Sequence, residues 1–153
     1  MDNITQLLMR GAAGAAGGGT FVDDVFSTYL YTGESGNTNF QVNNGVNLTK
    51  GGMVWLKSRT DTMEYYLFDT ERGPTKFLRS DASLLQQTAS DTLKSFDDDG
   101  FTLGDNGAVN SPSRNTVSWT FRKQEGFFDI VKYDGNATSS SSPARQIAHN
   151  LGS

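Results

Sequence analysis

"NTVSWTFRK", residues 115–123, is the stretch on which the fold turns. Val117, Trp119 and Phe121 alternate with Thr116, Ser118, Thr120 and Arg122. A period of two is the pattern of a β-strand with two unlike faces, because successive side chains point to opposite sides of a sheet. The bulky apolar set is expected to face the core.

Similar stretches lie on both sides of it. "STYLYT" (27–32), "GMVWLKSR" (52–59), "EYYLFDT" (64–70), "KFLRS" (76–80), "TLKSF" (92–96), "GFTLG" (100–104) and "FFDIVKY" (127–133) all read as short strands. Turn pairs separate them: Gly36-Asn37, Asn44-Gly45, Gly51-Gly52, Gly73-Pro74, Asp99-Gly100, Asn106-Gly107 and Asp134-Gly135. Only "DASLLQQTAS" (81–90) reads as helical or irregular. Strands do not alternate with helices, so a parallel α/β sheet is not expected. The class predicted is all-β, an antiparallel sandwich of jelly-roll or concanavalin-like type. Tyr29, Tyr31, Trp55, Tyr65, Tyr66, Phe68, Trp119 and Phe121 are mostly assigned to its core. Stacked on one exposed face, the same rings would suit a sugar or a protein partner.

The ends differ in composition. Residues 1–20 begin with a short amphipathic helix, capped by Asp2 or Asn3, with Ile4, Leu7 and Leu8 on one stripe and Met9 and Arg10 at its end. A glycine-rich tether follows, "GAAGAAGGG" (11–19), in which each glycine costs a helix about 1 kcal/mol against alanine. Two helical turns are marginal alone, so the stripe needs something to pack on. The candidates are this chain's own core, a second copy or another protein, and the tether favours the last two. Ile4, Leu7, Leu8, Met9 and Arg10 are therefore the expected docking or oligomerisation residues. Residues 21–135 form the expected β-domain. Residues 136–153 form a Ser-rich linker whose new apolar rhythm, Ile147 and Leu151, suggests that the chain continues.

Composition narrows the function. The 153 residues carry a formal net charge of -4, and no Lys/Arg cluster is present, so neither nucleic acid nor an anionic membrane is an expected partner. With no cysteine, disulfides, thiolate catalysis and Cys-ligated metals are excluded, although the compartment is not assigned. No apolar run approaches the ~20 residues of a membrane span. Asp2 and Arg10 interrupt what a secretion signal would need, so the protein is expected to be made in the cytosol without one.

"YYLFDTERGPTKFL" (65–78) holds the strongest candidate for chemistry. Asp69 and Glu71 could be a glycosidase-like carboxylate pair, with Arg72 as a clamp. The alternative is a strand end in which Asp69 pairs with Arg72, or with Lys57 or Arg59 on a neighbouring strand. No third catalytic group can be placed, so the corner is read as architecture. "FDDDGF" (96–101) lacks the spacing of an EF-hand and reads as a polar turn. His149 is the single histidine, too little for a His-based metal site or triad. Asn136 opens an "NAT" sequon that, without a secretion signal, is a turn. The glycine string lacks the Gly-Lys-Ser/Thr end of a phosphate loop. No catalytic residue, metal or cofactor is expected.

In order along the chain, "VDDVFSTYLYTG", "GGMVWLKSR", "YYLFDTERGPTKFL", "SFDDDGFTLG", "SWTFRKQEGFFDIVKYDGN" and "RQIAHNLGS" resemble a domain recurrent in structural proteins of marine tailed bacteriophages. The similarity runs from Val22 almost to the end, and the ordered set rather than any one motif carries it. The resemblance implies a concanavalin/laminin-G-like sandwich in a tail fibre or other virion protein, without established catalytic residues. It also implies a location in the virion tail after assembly in the host cytoplasm. Residues 1–20 would then dock a homotrimer on a tail tube, adaptor or nozzle protein. A host-glycan-binding module and a head decoration protein are the alternatives.

Overall fold

A computed structural model describes residues 19–135 and 145–152. The expected docking residues Ile4, Leu7, Leu8, Met9 and Arg10, and most of the Ser-rich linker, lie outside the described residues.

A one-turn helix, α1 (Val22–Val25), leads into β1 (Phe26–Thr32). There follow β2 (Phe40–Asn43), β3 (Gly52–Ser58), β4 (Tyr66–Asp69), β5 (Lys76–Arg79), β6 (Gln87–Thr88), β7 (Leu93–Asp97), β8 (Gly100–Leu103) and β9 (Asn115–Arg122). The chain is all-β. Its strands form a six-stranded sheet, β1-β9-β3-β4-β5-β6, and a three-stranded sheet, β2-β8-β7. Every pairing is antiparallel, and neither sheet closes on itself.

One core joins the two sheets. Tyr31, Val54, Leu56, Phe68 and Phe77 come from the larger sheet, and Val42, Leu93, Phe101 and Leu103 from the smaller; Val46, Leu48 and Val109 from the connections complete it. Burying a side chain of this size is worth roughly 1.5–3 kcal/mol, which is why these strands must face one another. Gly100 makes the tight β7–β8 turn possible. Its φ is 138°, and a Cβ there would sit 2.0 Å from the Val42 carbonyl oxygen, so no side chain fits. The "FDDDGF" stretch is the polar turn expected. Asp99 accepts a hydrogen bond from Gly45 N–H at 3.0 Å, and Asp97 accepts one from the Thr102 hydroxyl at 2.7 Å.

The direction of β9 reverses the expectation for Trp119 and Phe121, although Val117 on the same face is buried. Ser118 and Thr120 are fully buried and Thr116 and Arg122 nearly so, while Trp119 and Phe121 are only half-buried. The pairing explains it. β9 lies beside β3 with Val54 opposite Thr120, Leu56 opposite Ser118, and Trp55 opposite Trp119. Val54 and Leu56 belong to the shared core, so the small polar side chains of β9 share their face and the two tryptophans share the other. Asn44, at the end of β2, donates to the Thr120 hydroxyl at 2.8 Å, so a buried polar group meets a partner from the smaller sheet. The aromatic assignment changes with it. Tyr31 and Phe68 are core residues and Tyr66 packs on the core, but Trp55, Tyr65, Trp119 and Phe121 are only partly buried and Tyr29 is exposed.

"FFDIVKY" is not a strand. After β9 the chain turns at Gly126, and among the described residues its pairing is one isolated bridge, Gln124 with Phe128. Phe128 stacks on Phe121 with ring centroids 5.2 Å apart, so side-chain packing and not a ladder holds this segment. "DASLLQQTAS" is irregular apart from the two residues of β6.

Candidate functional site

The corner after β4 is built by local chemistry. Asp69 is the last residue of β4 and is almost fully buried. Its carboxylate accepts the Arg72 backbone N–H at 2.9 Å and forms an ion pair with the Arg72 guanidinium. Gly73, at φ 83°, lets its own N–H reach back to the Asp69 carbonyl at 3.1 Å and turns the chain toward Pro74. Of the alternatives open in the sequence, Asp69 takes Arg72. Lys57 instead donates to the carbonyls of Asp61 and Met63 and lies over the Tyr65 ring, 4.7 Å from its centroid.

Glu71 points the other way, to Lys123. The Lys123 ammonium is 3.0 Å from Glu71 and 3.2 Å from Asp129, just beyond the end of β9. Asp129 in turn accepts the backbone N–H of Asn150 at 2.9 Å and that of Ile130 at 2.9 Å. Its bond from Asn150 and then that from Lys123 hold the Asp129 carboxyl below its ordinary pKa, and the two carboxylates hold Lys123 above its own. Lys123 thus ties the corner to Asp129, and Asp129 in turn holds the 145–152 segment through Asn150.

Over this corner lies a cleft of about 270 Å³, lined by Glu71, Arg72, Gln86, Ile130, Val131, Lys132 and Tyr133. Tyr133 in its lining is 59% exposed. The cleft combines hydrogen-bonding side chains with an exposed ring, a surface suited to contact with a hydroxyl-rich or amphipathic partner. Asp69 and Glu71 each have a cation as partner, and they point into different ion pairs.

The outer face of the six-stranded sheet is the second candidate surface. Trp55 and Trp119 lie with ring centroids 5.3 Å apart, Tyr65 is 6.3 Å from Trp55, and Phe26 is 4.9 Å from Phe121. Alternation in β9 was visible in the sequence; which of its two faces lay outside was not.

Tyr31 is buried, donates to the Val109 carbonyl at 2.8 Å, and has its phenol pKa raised by burial. His149 is exposed and its Nδ1 accepts the Leu151 N–H at 3.2 Å. Among the described residues no three His, Cys, Asp or Glu side chains converge as a metal site, and no helix is long and apolar enough to cross a membrane.

Fold and site together define a small all-β antiparallel domain with a surface cleft, an aromatic outer sheet face and ion-pair ties. The chain belongs to the family described as a domain of unknown function (DUF7483), which matches residues 22–153. No curated protein and no solved structure matches it.

Proposed function

We propose that this chain is a structural protein of a tailed-bacteriophage virion, the N-terminal, tail-anchoring part of a trimeric tail fibre. It acts by packing and symmetry rather than by catalysis. The observation that carries the reading is the corner after β4, where the most suggestive ionisable cluster is spent on architecture: Asp69 on Arg72, Glu71 on Lys123. The resemblance of the ordered motif set to virion proteins supports the setting. In this reading the two sheets form a concanavalin-like sandwich, and their one shared core makes residues 21–135 a rigid spacer. Residues 1–20, with Ile4, Leu7, Leu8, Met9 and Arg10, dock on a tail tube, adaptor or nozzle protein and bring three copies together. Ordering a short segment on docking opposes affinity, so docking depends on several copies engaging at once.

Deletion of residues 2–10 tests this. The fibre reading expects the deleted protein to fold, with an unchanged β-sheet circular dichroism spectrum, and to be absent from purified particles. Normal incorporation of the deletion sinks the docking claim.

The cleft over Arg72 favours a second reading, a host-glycan-binding module. Tyr133 beside Glu71, Arg72, Gln86 and Lys132 offers a ring for a sugar face and polar groups for its hydroxyls. A glycan array with the intact chain separates the two. Signal that Tyr133→Ala removes supports glycan binding; silence from a folded protein leaves the anchor.

A further inference from the structure

The four sheet edges are treated unequally. β6, one edge of the larger sheet, is two residues long. β7, an edge of the smaller sheet, carries an irregularity between Leu93 and Ser95 and the charged residues Lys94 and Asp97. β2, the other edge, is four residues long. Short, bulged or charged edges resist strand addition. β1 has none of these protections. It is seven residues, "FSTYLYT", without charge, proline or glycine. Its register with β9 runs unbroken from Phe26 opposite Phe121 to Thr32 opposite Asn115. Among the described residues β9 is its one strand partner, and Thr28, Tyr29, Leu30 and Thr32 are exposed.

We infer that β1 pairs with β1 of a second copy of this chain, antiparallel and about a two-fold axis at Tyr29. The occupant follows from the composition and length of the edge. An uncharged strand can oppose itself without placing like charges across the ladder, which an edge bearing Lys or Asp cannot do. Centring on Tyr29 is the register that pairs all seven residues. It sets Phe26 against Thr32, Ser27 against Tyr31, and Thr28 against Leu30, each pair on one face. It also joins the two larger sheets into one antiparallel sheet and carries the outer aromatic face across the junction. Seven paired residues bury less than the ~1,200 Å² of a stable interface, so the contact is weak alone, and its two-fold axis means that it joins copies of different trimers rather than the three copies of one. The inference goes beyond the fibre reading and does not depend on it.

The absence of cysteine makes the test clean. Directly opposed residues have Cα atoms about 4.5–5.5 Å apart, within disulfide reach, whereas diagonal neighbours lie at roughly 7–8 Å. The full chain carrying Tyr29→Cys, under mild oxidation, is expected to give a covalent dimer of twice 16.6 kDa. Thr28→Cys and Leu30→Cys are expected to cross-link poorly alone, by at least tenfold in rate, and efficiently when mixed with each other. Equal rates at all three positions, or no dimer from Tyr29→Cys, overturn the pairing. Leu30→Lys, at a side chain 56% exposed, is the check that needs no disulfide. It should lower the concentration-dependent mass seen by light scattering with the β-sheet spectrum unchanged, and an unaltered mass contradicts the proposal.

Discussion

The Asp69 carboxylate holds Arg72 twice, by its backbone N–H at 2.9 Å and by its guanidinium, and so closes the corner between β4 and β5 on itself. Asp69 is buried and Arg72 partly exposed. Replacing Asp69 by Asn keeps an acceptor for the N–H but leaves the guanidinium without its anion. Loss of one partner of such a pair should cost about 2 kcal/mol, below the ~3–5 of a fully buried pair. Chemical denaturation of Asp69→Asn against the parent measures it, and a cost under about 0.5 kcal/mol contradicts the role given to the pair.

The tie through Lys123 is pH-dependent in a defined direction. Asp129 titrates below its ordinary value, so the stability it adds is present above about pH 4 and is lost as pH falls through its folded pKa. Lys123 titrates above its ordinary value, so its share is complete below about pH 10 and is lost as pH rises through its folded pKa. The amide of Asn150, bonded to Asp129, reports both limbs by NMR. Its shift should be flat between them. Lys123→Met should shift the acid limb upward and remove the alkaline one; an unchanged profile would mean that the tie is absent in solution.

The reversed face of β9 makes an unusual mutational prediction. Ser118 is fully buried and Trp119 half-buried. Ser118→Leu should overpack the core and cost about 1–3 kcal/mol. Thr120→Val should cost about 1 kcal/mol by depriving Asn44 of its acceptor. If β9 instead faced inward with its aromatics, Ser118→Leu would be tolerated. Denaturation midpoints of the two variants decide between the orientations.

Most strand positions were legible because turn pairs and alternation are local signals. The strand at residues 115–122 and the corner at Gly73-Pro74 both follow from them. The choice of face was not local. β3 is apolar on both sides, Val54 and Leu56 on one and Met53 and Trp55 on the other, so hydrophobicity alone does not orient the pair. The orientation comes from tertiary fit. Gly52 opposes Arg122, and a Cβ on Gly52 would meet the Phe121 carbonyl oxygen at 2.3 Å and Leu48 Cδ2 at 2.5 Å. β2 was missed because "FQVN" has one buried apolar residue, Val42, too few to show a period. "FFDIVKY" misled because its aromatics pack by side chain, Phe128 on Phe121, without a strand to pair with. The cleft joins residues 71–72, 86 and 130–133, which no spacing rule connects.

Thr75 carries local strain. It is a β-branched residue at φ 67°, held there by its N–H to the Leu93 carbonyl at 2.8 Å and its own carbonyl accepting Ala89 N–H at 2.9 Å. Thr75→Gly removes the Cβ penalty and keeps both bonds. It should be neutral to stabilising by up to about 1 kcal/mol, although glycine is ordinarily a destabilising substitution. Thermal denaturation of the variant checks this, and a loss above about 1 kcal/mol would show that the φ is not strained.

The central claim is a role in the virion tail, exerted through contact. A density map of purified particles, with the chain's presence established by mass spectrometry, tests it most directly. The account predicts the two-sheet domain in threefold sets at the tail, with residues 1–20 against a tube, adaptor or nozzle protein. Particles that lack the chain, or carry it only on the head, would contradict it.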